Sequence, residues 1–193
     1  MGRPRTFDTD EVLTKALVMF WRQGYASTST KDLCEGTNLG RGSLYHAFEG
    51  KQDIYLQALR RYYELGTAPA LAILDGPEPV RERIRKLMTA VIDTDLADPD
   101  HKGCLAINAA VEMAGREPEV QQAVRRHFRR IEEALCATFR RAADDGEFSR
   151  DRDPVATARF VMSAYYGLRV LAKATDDREA LLDVVRGTLD ALA

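Results

Sequence analysis

Residues 28–59 read TSTKDLCEGTNLGRGSLYHAFEGKQDIYLQAL, and the punctuation of this stretch sets the architecture. Ser29, within the hydroxyl cluster Thr28-Ser29-Thr30, is the expected N-cap of a short helix that carries Leu33 and Cys34 inward and ends by Thr37. Asn38-Leu39-Gly40 then makes a turn, and Arg41 to Ala47 forms a second short helix. Phe48-Glu49-Gly50 breaks the pattern before Lys51 opens a longer one. Two very short helices around a tight turn, clamped by longer helices, give the outline of a helix-turn-helix.

Upstream, Asp8 and Glu11 suit a capping box and Phe7 with Val12 a hydrophobic staple, so a helix is expected from Asp8 to Gly24. Val12, Leu13, Ala16, Leu17 and Phe20 make its inner face. Downstream, helical periodicity continues without a β pattern. A fourth helix is expected over about Lys51–Ala68, a fifth over Val80–Leu96 with Val80, Ile84, Leu87, Met88 and Val91 inward, and a sixth over about Cys104–Ala114. A seventh follows Pro118, with Val120, Val124, Phe128, Ile131 and Leu135 on one stripe, and stops at Asp144-Asp145-Gly146. Asp153-Pro154 opens an eighth, and an Asp176/Glu179 box a ninth. The expected fold is all-α, with about nine helices: a three-helix helix-turn-helix domain over residues 1–50 and a helical ligand-binding and dimerisation domain over 51–193.

A reading helix places side chains in the major groove while its flanks hold phosphates. Arg41 heads the third helix, where its guanidinium suits guanine O6 and N7, and Gly42 permits close backbone approach. Ser43 and His46 reach base edges or sugars. Thr28, Ser29, Thr30, Tyr45 and Lys51 are placed as phosphate ligands, with backbone N–H groups at the second helix's start adding to the anion site. Arg3 and Arg5 form an arm for the minor groove or phosphates.

The bulk numbers bound this reading. The 193 residues carry a formal net charge of −2 and are 45% hydrophobic, which excludes a protein that coats nucleic acid by bulk charge. Among residues 1–51 there are seven Lys/Arg against six Asp/Glu, so position rather than charge identifies the DNA-binding segment. No apolar run approaches the roughly 18 residues that span a bilayer, and the N-terminus lacks a signal-peptide core, so a cytoplasmic protein without a membrane partner is expected. Three widely spaced cysteines, Cys34, Cys104 and Cys136, fit a reducing compartment. Cys34 and Cys136 read as small core residues.

The stretch over about residues 8–65 resembles the DNA-binding signature of the TetR-type one-component regulators. The resemblance is carried by the Thr-rich cap, the short helix and turn, then Arg41-Gly42-Ser43-Leu44-Tyr45-His46-Ala47-Phe48 with Lys51 following. Asn38 stands where the family usually has Gly, Gly40 where it has Ser, and Ala47 where Tyr is frequent. Asn tolerates left-handed geometry, so the turn survives, whereas Gly40 removes a usual cap and phosphate contact. The segment GCLAINAAVE, residues 103–112, resembles a subgroup with Gly-Cys-Leu at the start of the sixth helix.

The resemblance implies a homodimer on double-stranded operator DNA, its last two helices pairing with their copies, and repression relieved by a small-molecule effector. Phe160, Ser163, Ala164, Gly167, Leu168 and Leu171 form the expected dimer stripe on the eighth helix, with Leu182, Val185 and Leu189 on the ninth. Polar or aromatic residues on apolar faces, Asn108, Glu112, His127, Tyr165, Tyr166 and Arg169, with Cys104 and the walls Met88 and Val91, are candidates for the effector site. Glu112 is alternatively a partner for an arginine of the seventh helix, and Tyr165, Tyr166 and Arg169 alternatively belong to the dimer seam.

Two other readings stand beside this one. Cys104, at a helix start after His101 and Lys102, suits a thiol that senses oxidants or electrophiles, and a helical adaptor that has lost DNA binding keeps the same outline. No catalytic role, cofactor or metal site is expected: paired E-x-x-H ligands, a nucleophile motif and a Gly-rich phosphate loop are all missing.

Overall fold

The computed structural model describes residues 7–193, and among them it contains nine helices and no strand. They are α1 (Thr9–Gln23), α2 (Thr30–Thr37), α3 (Arg41–Ala47), α4 (Lys51–Leu74), α5 (Val80–Leu96), α6 (Leu105–Glu112), α7 (Pro118–Asp144), α8 (Pro154–Leu171) and α9 (Arg178–Asp190). Among the described residues, no helix is long and apolar enough to cross a membrane.

The chain packs as two compact units. The first takes the described residues up to Leu65 together with Asn108–Val124, and the second takes Gly66–Ile107 and Arg125–Ala193. This division differs from the expected one after residue 50. Ile54, Tyr55, Ala58 and Leu59 on the first half of α4 are almost wholly buried, with Tyr55 edge-on to Phe20 of α1 at 5.0 Å between ring centres.

In the first unit, α1 buries the five residues its periodicity predicts, Val12, Leu13, Ala16, Leu17 and Phe20. The Asp8 carboxylate accepts the amide of Asp10 at 2.8 Å. Glu11 turns outward to Lys15 at 2.7 Å instead of closing the expected box. A Cβ on Gly36 of α2 would meet the Met19 sulfur of α1 at 2.3 Å, so that glycine lets the two helices approach.

In the second unit, α5, α7, α8 and α9 enclose a core that includes Ile84, Leu87, Met88, Leu135, Phe139, Val161, Leu168 and Leu181. Pro154 sits in the first turn of α8 beneath the Asp153 cap, as expected. The cap of α9 is Asp177, accepting the amide of Ala180, one residue later than the Asp176/Glu179 reading. Helix α4 continues past Ala68, through Pro69, to Leu74. Proline breaks the helical ladder for want of an N–H, but Ala70 and Leu74 beyond it are buried. The Leu74 carbonyl also accepts from Arg83 at 2.9 Å and Arg141 at 3.3 Å.

Two buried polar groupings mark the second unit. Asp95 of α5 receives Arg169 of α8 in a two-pronged pair, Nη2 to Oδ1 at 2.7 Å and Nε to Oδ2 at 2.9 Å. His127 of α7 lies 3.5 Å from the Thr67 hydroxyl through Nδ1 and 3.2 Å from the Tyr166 hydroxyl through Nε2. Burial, then the positive charges of Arg169 and Arg130, push the His127 imidazole down to about 4, so it is neutral at pH 7.

Candidate nucleic-acid interface

The surface of α2 and α3 is built from their caps. Ser29 and Asp32 form a reciprocal capping box: the Asp32 amide donates to Ser29 Oγ at 3.1 Å and the Ser29 amide to Asp32 Oδ2 at 2.7 Å. These bonds to Ser29, side chain first and backbone second, hold the Asp32 carboxyl below its ordinary range. The sequence reading missed Asp32, although S-x-x-D is a capping signal. It also corrects the anion site, since the Ser29 N–H already has an acceptor inside the chain.

Asn38 ends α2 in the left-handed region, φ 58° and ψ 31°, its N–H returning to Cys34 and Glu35 carbonyls. The chain then re-enters a helix at Gly40 with no side-chain cap. Leu44 and Phe48 point inward and are buried, while Arg41, Gly42, Ser43, Tyr45 and His46 are all exposed. A Cβ on Gly42 would meet nothing within 4 Å. Nothing inside the chain therefore demands glycine there. The Thr30 hydroxyl lies 3.4 Å from the Tyr45 hydroxyl, and the Arg41 guanidinium 5.7 Å from the Tyr45 ring centre. The structure thus gathers Thr30, Arg41 and Tyr45 at one edge.

Thr28 is not part of this surface. It is fully buried, and its hydroxyl donates to the Gly24 carbonyl at 2.7 Å, the internal bond a threonine makes when it closes a turn. Lys51 is half-buried, and its Nζ donates to the carbonyls of Tyr25 and Thr28, each at 2.9 Å. Two of the three ammonium protons are therefore engaged inside the unit. Arg3 and Arg5 lie outside the described residues.

The candidates for an effector site separate. Met88, Val91, Cys104, His127 and Tyr165 are buried in the second unit. There the Tyr165 and Tyr166 rings meet at 5.2 Å. Burial raises the Tyr165 hydroxyl above its ordinary range, and the nearby Arg169 charge works against that rise. Arg169 is held by Asp95, a partner the sequence reading did not name. Glu112 and Asn108 belong to the first unit, and Glu112 binds backbone amides there rather than an arginine of α7. Cys104 precedes α6 and is buried, as is Cys136, while Cys34 is half-buried rather than turned into the core.

Of the expected dimer stripe, Leu168, Val185 and Leu189 are core residues of their own chain. They lie on the inner faces of α8 and α9, which carry apolar residues on more than one side. Phe160 and Leu171 are exposed, joined by Val170, which is 51% exposed and was not anticipated. Ser163 and Gly167 are exposed between them, Ala164 and Leu182 half-buried.

Comparison with known proteins places this geometry. Residues 12–58 match the pattern of bacterial regulatory proteins of the tetR family, and residues 79–188 match the tetracyclin repressor-like C-terminal domain. The chain is 34% identical to YezE of Bacillus subtilis, described as an uncharacterized HTH-type transcriptional regulator, over 100% of both chains. It is 28% identical to the HTH-type transcriptional repressor ComR of Escherichia coli, covering 97% of this chain and 90% of that one. Among solved structures, a cysteine mutant of the TetR family transcriptional regulator CifR, complexed with 26-bp double-strand operator DNA, superposes with a TM-score of 0.89 at 31% identity over 100% of both chains. The matched patterns cover both the helix-turn-helix and most of the C-terminal helices. This chain belongs to the TetR family of bacterial transcriptional regulators.

Proposed function

We propose that this chain is a homodimeric, cytoplasmic repressor that grips operator DNA through α2 and α3 and releases it when a small molecule occupies its C-terminal helical part. The observation that carries the proposal is the two-sided character of α3. Leu44 and Phe48 anchor it from within, and every other side chain from Arg41 to His46 faces outward. On this reading Arg41 takes a guanine edge bidentately, Ser43 and His46 contact neighbouring bases or sugars, and the Ser29, Thr30 and Tyr45 hydroxyls hold phosphates, while Lys51 braces the turn before α2 from within. Gly42 allows the backbone close to the duplex, and Arg3 and Arg5 supply the arm.

Residues 1–50 supply the DNA contacts and residues 51–193 the ligand response and the dimer. The exposed stripe Phe160, Ser163, Gly167, Val170 and Leu171 on α8 supports pairing of two copies, because an apolar helix face with small residues suits close helix packing. Two reading helices on a two-fold symmetric operator multiply the affinity of one. The effector site is proposed around His127, Tyr166, Tyr165 and Thr67, where a neutral imidazole and hydroxyls offer orientation to an uncharged or aromatic ligand. An effector that binds only the low-affinity conformation weakens DNA binding by linkage.

The test uses a duplex selected from a random pool by the purified wild-type protein, with binding followed by fluorescence anisotropy at fixed salt. Arg41→Ala is expected to lose about 10- to 100-fold in affinity for that duplex, as a bidentate base contact does, with secondary structure and dimer mass unchanged. Unchanged affinity would refute the α3 reading and return the chain to the adaptor alternative.

A further inference from the structure

The turn between α1 and α2 is held from two sides by opposite charges. Glu112, the last residue of α6, accepts the Tyr25 amide on Oε2 at 2.9 Å and the Ala26 amide on Oε1 at 2.7 Å. Two successive backbone amides converging on one anion make a nest, occupied here by a side chain more than eighty positions further along the chain. Gly24 prepares the place. It has φ +81°, and a Cβ on it would lie 2.9 Å from Glu112 Oε2.

On the carbonyl side of the same turn, the Lys51 ammonium accepts no bond but donates to Tyr25 and Thr28. It also stands 4.1 Å from the centre of the Tyr25 ring. The Tyr25 ring in turn packs on Tyr55 at 5.0 Å. The amides of the turn are thus fixed by a carboxylate and its carbonyls by an ammonium. Three residues after Ala26 comes Ser29, the cap of α2, then Thr30, whose hydroxyl lies beside Tyr45 of α3. The placement of these hydroxyls follows from the placement of the turn.

We propose that Glu112 is a positioning residue for operator binding: its carboxylate, carried on α6, fixes the α1–α2 turn and so sets Ser29 and Thr30 at the distance a DNA phosphate requires. The inference rests on the proposed role of the α2–α3 surface and adds a residue to it that does not touch DNA. A neighbouring contact repeats the arrangement, for Gln52 in the first turn of α4 donates to Glu117 at 3.1 Å. Residues 108–124 thereby tie to the helix-turn-helix at two points.

The experiment compares full-length wild type, Glu112→Gln, Glu112→Asp, Thr30→Val and the double variant Glu112→Gln/Thr30→Val on the selected duplex, with Arg41→Ala alongside. Glu112→Gln keeps the shape but sets an NH2 against one of the two donors. Its affinity is expected to fall about tenfold, with the Tyr25 and Ala26 amides exchanging hydrogen faster, and Glu112→Asp is expected to recover part of the loss. Thr30→Val is expected to weaken the wild type by about fivefold and the Glu112→Gln variant hardly at all, because the hydroxyl is already misplaced. A merely structural role for Glu112 gives additive losses. Unchanged or tighter binding by Glu112→Gln, or additive losses, overturns the inference. If Arg41→Ala weakens binding in the same series, only the role of Glu112 falls, whereas if Arg41→Ala binds normally the interface itself is wrong. Should Glu112→Gln fail to fold, Glu112→Asp in combination with Thr30→Val supplies the same cycle.

Discussion

Replacing Asp95 by Asn leaves the Arg169 guanidinium charged and without its carboxylate inside the second unit. The Asp95 and Arg169 side chains are only 4% and 12% exposed, so water restores little of what is lost. Removing one partner of a buried ion pair costs about 3–5 kcal/mol, chiefly because the surviving charge remains desolvated. For a chain near 190 residues each kcal/mol moves the midpoint by roughly 2–4 °C, so Asp95→Asn is expected to lower Tm by roughly 6–20 °C. The double variant Asp95→Leu/Arg169→Met removes both charges and keeps similar volume, and it is expected to fall within about 2 kcal/mol of the wild type. The assay is thermal unfolding followed by circular dichroism at pH 7, at one protein concentration, since any self-association would tie apparent stability to concentration. A single variant within about 1 kcal/mol of the wild type, or a double variant as unstable as the single, refutes this account of the pair.

Two further outcomes follow from local geometry. Because the folded His127 titrates near 4 against 6.5 for the ordinary side chain, the unfolded chain binds the extra proton in between. Stability is therefore expected to fall as pH drops from about 6.5 to 4, by about 3 kcal/mol at the end of that window, and urea unfolding of His127→Gln should show a correspondingly flatter pH profile. Asn38 holds φ 58° at the end of α2, so Asn38→Val is expected to cost about 1–2 kcal/mol in urea unfolding while Asn38→Gly stays within a few tenths.

The helices were legible in the sequence wherever a capping residue and a period of 3.6 agreed, as at Ser29, Asp153 and the five buried residues of α1. The end of α4 was not, because Pro69 reads as a stop and the burial of Ala70 and Leu74 that carries the helix past it is a tertiary effect. The α2–α3 surface was legible in outline, since the alternation of Leu44 and Phe48 with polar neighbours fixes which face is inward. Thr28 and Lys51 were misread because a hydroxyl and an ammonium suit a phosphate and a backbone carbonyl equally, and only the folded turn shows which they meet. Asp95 with Arg169, and Glu112 with Tyr25, pair residues more than seventy positions apart, and no periodicity in one chain reveals such a pairing. Leu168, Val185 and Leu189 have the right spacing for a seam between subunits and for a core, and burial alone separates the two.

Helix α4 is a rod with one rung missing. Pro69 offers no N–H to the carbonyl four residues earlier, that of Leu65, and Leu65 is the last residue of α4 counted with the first unit. A uniform helix resists bending along its whole length, but one lacking a ladder bond concentrates the bend at the gap. Any bend of α4 is therefore collected within the single turn around Pro69. Before that turn the helix from Lys51 to Leu65 keeps its ladder, so Lys51 and the Tyr25 and Thr28 carbonyls it holds stay fixed to one unbroken segment.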